Sequence, residues 1–199
     1  MSDDSKEISR KIFLKWVSVP ICILVISLTG PTFDLPDQFI PRKATMQPVI
    51  SFGLAAVYIG LYSGIIAGIL ADNISNIVLY FISGILSLCA YIPLSFACEF
   101  DGTSAHVGIL GLFAIAGFAG SLGVMTSIIT LAKNFGSGKA SILIVTIAMT
   151  YFKIAYIMDD AFHTGFLGDF SLSNYFLLVG LIMFVVLNAA ALSIYQIDV

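Results

Sequence analysis

Long apolar runs separated by short polar interruptions make up most of this chain. They fall at roughly Ile12 to Thr29, Pro48 to Leu70, Ile74 to Cys98, His106 to Leu131, Ala140 to Met158 and Tyr175 to Tyr195. Each is of the length that a helix needs to cross a bilayer, about 20 residues. Two-residue alternation is missing from these runs, so they read as helices and not as the strands of an outer-membrane barrel. Pro20, Pro48 and Pro93 leave the count intact, because packed neighbours can satisfy the carbonyls that a proline frees. The pattern predicts an all-α, polytopic membrane protein with six transmembrane helices over residues 12–195, a segment 1–11 before them and a tail 196–199.

Composition agrees with the pattern. Of the 199 residues, 59% are hydrophobic and 11% charged, with a mean hydropathy of +1.03. A soluble domain carries about 25% charged residues, so a soluble enzyme, an extracellular disulfide scaffold and a disordered chain are excluded. The first run has a basic front (Lys6, Arg10, Lys11, Lys15) like a signal peptide, but Gly30-Pro31-Thr32-Phe33 follows it with no small-x-small cleavage site. It is kept as a helix.

The distribution of Lys and Arg sets the predicted orientation. An even number of spans puts Lys6, Arg10, Lys11, Lys15, Lys133 and Lys139 on one side and only Arg42 and Lys43 on the other. The positive-inside rule then makes both termini cytoplasmic. The host membrane is not specified by any residue.

Little of the usual site chemistry is present. Cys22, Cys89 and Cys98 lie in or at the edge of spans and have no framework spacing. Asn73-Ile74-Ser75 matches a glycosylation acceptor but falls in a tight cytoplasmic turn. Gly136-Ser137-Gly138-Lys139 fails as a phosphate loop, since Lys133 stands at the first glycine position and Ala140 at the Ser/Thr position. His106 and His163 stand alone near helix ends, and no cluster has metal-ligand spacing. No metal and no cofactor is expected. With no nucleophile–base spacing and no buried titratable pair, the chain is not read as an enzyme, and its basic residues are a topological flank that gives no support to nucleic-acid binding.

What stands out lies inside the runs. Gly53, Gly60, Gly64 and Gly68 recur on one face of the second span, and Gly117, Gly120 and Gly123 repeat the small-residue device in the fourth. Such spacing lets helix backbones approach closely, either in static packing or at a sliding interface. Lys153 is the one charge well inside an apolar run, where an ammonium costs about 3 kcal/mol unless it faces protein or water. Thr146 and Thr150 share its face, which extends to Lys139 and Asp160. Two readings stay open: a polar stripe lining a cavity, or a lysine that snorkels to the interface or pairs with Asp160. Ser51, Tyr58 and Tyr62 form a similar, weaker stripe on the second span.

The turn between the second and third spans reads Gly68-Ile69-Leu70-Ala71-Asp72-Asn73-Ile74-Ser75-Asn76. It resembles the signature loop of the major facilitator superfamily, with Gly68, Leu70, Ala71 and Asp72 matching and Asn73, Ser75 and Asn76 standing where that loop has two arginines and a second glycine. Asn134-Phe135, Lys139, Tyr151-Phe152, Asp169 and Tyr175-Phe176 look like the nodulin-like branch, Gly136 replacing its proline. The resemblance implies the amino-terminal six-helix half of a facilitator. By that resemblance the chain moves a small polar solute by alternating access, with Lys153, Thr146, Thr150, Tyr58 and Tyr62 lining the cavity and Gly68 and Asp72 in a conformational gate. Six spans supply one wall, so a second half is expected, from a homodimer or a partner chain. The other reading is a non-transporting interaction module or degenerate half-transporter.

Overall fold

The computed structural model describes residues 3–29, 47–97, 103–136, 138–139, 141–150 and 171–198. All secondary structure among them is helical: α1 (Asp3–Leu28), α2 (Gln47–Tyr62), α3 (Gly64–Asn73), α4 (Asn76–Ala97), α5 (Thr103–Phe135), a short α6 (Ser141–Thr150) and α7 (Leu172–Asp198). Helices follow from the solvent, because in hydrocarbon a helix alone satisfies its own backbone within one segment.

Five helical stretches are long and apolar enough to cross a membrane, namely Glu7–Leu28, Phe52–Asn73, Asn76–Ala97, Val107–Phe135 and Ser173–Ile194. This is the make-up of a multi-pass membrane protein. The predicted run from Ala140 to Met158 is described only over α6, whose ten residues extend about 15 Å, half of the hydrocarbon thickness. Two further differences from the sequence reading concern continuity. Helix α1 begins well before Ile12, its charged start steadied by a Lys11–Glu7 ion pair of 3.0 Å one turn apart. The second span is two helices, α2 and α3, interrupted at Ser63.

Helix α5 is the axis of the bundle. At 33 residues it extends about 50 Å, and α1, α2, α3 and α4 all pack along it, while α7 lies against α4 and α1. The largest apolar cluster joins Val25 of α1, Val57 of α2, Tyr80 and Tyr91 of α4, Phe113 of α5, and Phe176 and Leu187 of α7. Helix α6 closes on the bundle through Ile144 and Ala148, which meet Cys22 and Ile26 of α1 and Leu131 of α5. Gly136 ends α5 with φ of 68°, the left-handed conformation that glycine adopts without a Cβ penalty.

The tightest helix contact is between α2 and α5. A Cβ at Gly60 would strike the Ala114 carbonyl and fall 2.6 Å from the Phe118 nitrogen, and one at Gly117 would strike the Val57 carbonyl. Gly64 adjoins Ser121, with 2.7 Å from its Cβ position to the hydroxyl oxygen, whereas a Cβ at Gly68 would meet nothing within 4 Å. Gly120 is buried in α5. Gly123 faces elsewhere, toward Ser83 of α4, Leu187 of α7 and Val25 of α1. The glycines of the fourth span therefore serve two interfaces, since six residues of helix turn the face by about 240°.

These contacts separate two substitutions of similar chemistry. Gly60→Val should destabilise the bundle by about 1–3 kcal/mol through overpacking, while Gly68→Ala should be neutral or gain up to about 1 kcal/mol from helix propensity. Denaturant unfolding in mixed micelles, followed by far-ultraviolet circular dichroism, reads both.

Candidate functional site

The described candidates for a cavity lining occupy outward faces. Tyr58 and Tyr62 stack on each other with ring centroids 5.9 Å apart and are 38% and 76% exposed. Thr146 and Thr150 lie on the exposed side of α6, where their hydroxyls donate to the Ile142 carbonyl at 2.8 Å and the Thr146 carbonyl at 2.9 Å. They form two separate pairs, one on α2 and one on α6, both turned away from the bundle core. Asp72 is exposed in the last turn of α3. Lys153 and His163 fall outside the described residues, as do the side chains of Ser51 and His106.

Near Tyr62 the regular backbone bonding of the second span is interrupted. Ser63 sits between the two helices with φ −66° and ψ 2°, and the Ile66 and Ala67 N–H groups both donate to its carbonyl, at 2.8 and 3.1 Å. The Gly60 carbonyl accepts the Ser63 hydroxyl, and the Leu61 carbonyl accepts the Ser121 hydroxyl of α5 at 3.2 Å. Side-chain donors thus cover the carbonyls at the break, the condition under which an irregular turn is tolerated at membrane depth. The span runs from Phe52 to Asn73, so Tyr62 and Ser63 stand at its midpoint.

A second polar feature is built from uncharged side chains. It is a buried seam between α4 and α5. Asn76 donates from Nδ2 to the Thr130 hydroxyl oxygen at 2.9 Å, and the Tyr80 and Ser127 hydroxyls are 2.9 Å apart. Cys22 of α1 adds its sulfur 3.6 Å from the Tyr80 oxygen, and the Ser83 hydroxyl donates to the Ala119 carbonyl at 2.8 Å. Beyond Thr130, Asn134 donates to the Ser18 hydroxyl oxygen of α1 at 2.9 Å, beside the edge-on contact of Trp16 and Phe135. The signal was in the spacing: Asn76, Tyr80, Ser83 and Ser87 step by 4, 3 and 4, as do Gly123, Ser127, Thr130 and Asn134. Each set occupies one helix face, and the two run antiparallel, with Asn76, Tyr80 and Ser83 beside Thr130, Ser127 and Gly123.

At one end the seam opens into a recess of about 200 Å³ lined by Ser75, Asn76, Thr130, Lys133, Asn134 and Ile194. Asn76 is 9% exposed, and its Oδ1 has no hydrogen-bond partner. A larger depression of about 540 Å³ lies between the far ends of α4 and α5, lined among the described residues by the apolar Ile92, Pro93, Phe96, Ala97, Gly108, Ile109 and Leu112. Among the described residues, no three His, Cys, Asp or Glu side chains come together to hold a metal.

No protein-family model, curated protein or solved structure matches this chain. The facilitator resemblance therefore stands on its motif residues alone. The arrangement offers two places for polar chemistry: the mid-span break with its outward tyrosines, and the seam with its recess.

Because Tyr80 touches two partners in hydrocarbon surroundings, Tyr80→Phe should cost about 0.5–1.5 kcal/mol of stability, the range found for interhelical hydrogen bonds in membranes. Ser193→Ala, which removes only a bond to the Ala189 carbonyl of its own helix, should stay within about 0.5 kcal/mol. Unfolding midpoints of the two variants in the same micelles provide the comparison.

Proposed function

We propose that this chain is one half of a carrier that moves a small polar solute across its membrane, the second half being another copy or a partner chain. The observation that carries the reading is the break at Ser63, with Tyr62 projecting outward at the midpoint of the span. Tyrosine belongs at membrane interfaces, where its hydroxyl meets water, and lipid offers that hydroxyl nothing at mid-depth. Interrupted helices at the midplane are how transporters build solute sites; here the Gly60 and Leu61 carbonyls are already covered by hydroxyls, so the outward Tyr62 side chain is the group offered to a solute. A facing half would turn this outward surface into a cavity wall.

The finer parts of the proposal follow the sequence. Helix α6 is extended through Lys153 as a sixth span, continuing the face of Thr146 and Thr150 toward an anionic solute group. The end carrying Lys11, Lys15, Lys133 and Lys139 is placed in the cytoplasm, with both termini. The facilitator half supplies the architecture, and Asp72 at the end of α3 biases the inward or outward state. One observation favours the rival reading, a membrane interaction module: the Thr146 and Thr150 hydroxyls already bond to their own helix and have no need of a solute.

Thiol labelling separates the two without knowledge of the solute. In a background with Cys22, Cys89 and Cys98 replaced by alanine, Tyr62→Cys should react with a charged, membrane-impermeant methanethiosulfonate in native membranes. Val185→Cys, exposed near the middle of the α7 span, provides the lipid-facing comparison. Since only the thiolate reacts and hydrocarbon suppresses ionisation, the Tyr62 site should label at least about tenfold faster. Equal inertness of the two sites would rule out an aqueous path along α2 and sink the carrier reading.

A further inference from the structure

The recess at the end of the α4–α5 seam has an electrostatic composition that selects a ligand. Asn76 lines it, and the buried Oδ1 of that residue lacks a donor, while one N–H of its amide is given to Thr130. Its rim holds an exposed ammonium, Lys133, with the Ser75 and Asn134 side chains beside it. An unsatisfied buried carbonyl oxygen is costly, and a charged donor offsets that cost more fully than a neutral one. The complementary ligand therefore carries an N–H donor at one end and an anionic oxygen acceptor close by.

Depth narrows the choice. Asn76 is the first residue of its span, while Lys133 and Ile194 stand at or within two residues of the ends of theirs. The recess thus lies at headgroup level, on the end of the bundle that also carries Lys15 and Lys139, and Ile194 supplies an apolar wall leading toward the acyl region. Its volume of about 200 Å³ is several times what one water needs. Basic recesses between helices at this depth are places where phospholipid headgroups dock.

We infer that this recess binds a phosphoethanolamine group, the ammonium donating to Asn76 Oδ1 and the phosphate accepting from Lys133, with the membrane lipid as its source. The site does not involve Tyr62 or the break in the second span, and it stands whether or not the chain transports anything. A choline headgroup has the same phosphate but no N–H, so it leaves Asn76 unsatisfied.

The test uses the full chain reconstituted in vesicles of equimolar dioleoyl-phosphatidylethanolamine and dioleoyl-phosphatidylcholine, released in mild detergent, with retained lipid counted by native mass spectrometry. Ethanolamine lipid should be retained about tenfold over choline lipid, and the preference should fall stepwise with mono- and dimethylated ethanolamine lipids as N–H donors are removed. Asn76→Leu should abolish the preference, and Lys133→Gln, at an exposed position, should lower retention of both lipids together. Equal retention of the two lipids by the native chain would overturn the inference, and the methylation series decides it even where Asn76→Leu fails to fold. Binding of free O-phosphoethanolamine, read by phosphorus NMR, without enrichment of the lipid would overturn the membrane source.

Discussion

The contact of two helix backbones at Gly60 and Gly117 is the constraint on which the rest of this bundle turns. Lipid tails are as apolar as leucine, so burial of apolar area gives membrane helices little reason to associate, and they must instead come close enough for dispersion and hydrogen bonding to act. The approach of α2 to α5 has a consequence one turn further on. It brings the Ser121 hydroxyl within reach of the Leu61 carbonyl, and that carbonyl is among those the interruption at Ser63 must satisfy. A side chain larger than hydrogen at Gly60 would push α2 outward and remove the donor. The glycine contact and the broken helix are thus one construction.

On its other faces α5 is held by direction and not by closeness alone. The bonds Asn76 to Thr130, Tyr80 to Ser127 and Ser83 to the Ala119 carbonyl step along the α4–α5 pair in order. Interhelical bonds of this kind contribute about 0.6 kcal/mol each on average in a bilayer, whereas a polar group left unpaired in hydrocarbon costs several. The asymmetry makes the seam a register device. A shift of α4 by one residue would forfeit little favourable energy and incur several penalties at once. Gly123 belongs to the same face, and its missing side chain leaves room for Ser83 and Leu187 beside it.

Hydropathy made the spans legible because an apolar run of that length has few other uses. What it could not report is direction. The rows Tyr58–Tyr62 and Thr146–Thr150 were readable as helix faces, but a face in a sequence is equally compatible with a neighbour, a cavity or the outside, and here both point outward. Gly117 and Gly123 repeat the same device in sequence yet meet different neighbours for a geometric reason: over six residues the helix turns far enough to serve α2 with one glycine and α4, α7 and α1 with the other. The seam went unseen because serine and threonine are nearly neutral in hydropathy, and because Asn76 and Tyr80 were absorbed into a loop motif and an apolar run. Two matching 4, 3, 4 spacings on adjacent spans were the available signal, and they gain meaning only once the two helices are known to be antiparallel neighbours.

The difference between the two polar places in this protein comes down to what a helix can offer its own side chains. An α-helix interior has spare lone pairs on its carbonyl oxygens but no spare N–H groups. A hydroxyl can therefore satisfy its donor locally, as Thr146, Thr150, Ser87, Thr126 and Ser127 all do against carbonyls four residues back. Amide N–H groups manage the same, as Asn188 does with the Phe184 carbonyl. An amide oxygen has no such recourse in a helix interior, and at Asn76, although the first turn of α4 has free N–H groups, none of them bonds to Oδ1. Where the asparagine is exposed, water or a headgroup provides one. At Asn76 the oxygen is buried, and Lys133 brings a cation to the rim of the same recess. Rows of hydroxyls in these helices are self-sufficient and make weak arguments for a ligand, while one buried amide oxygen makes a strong one.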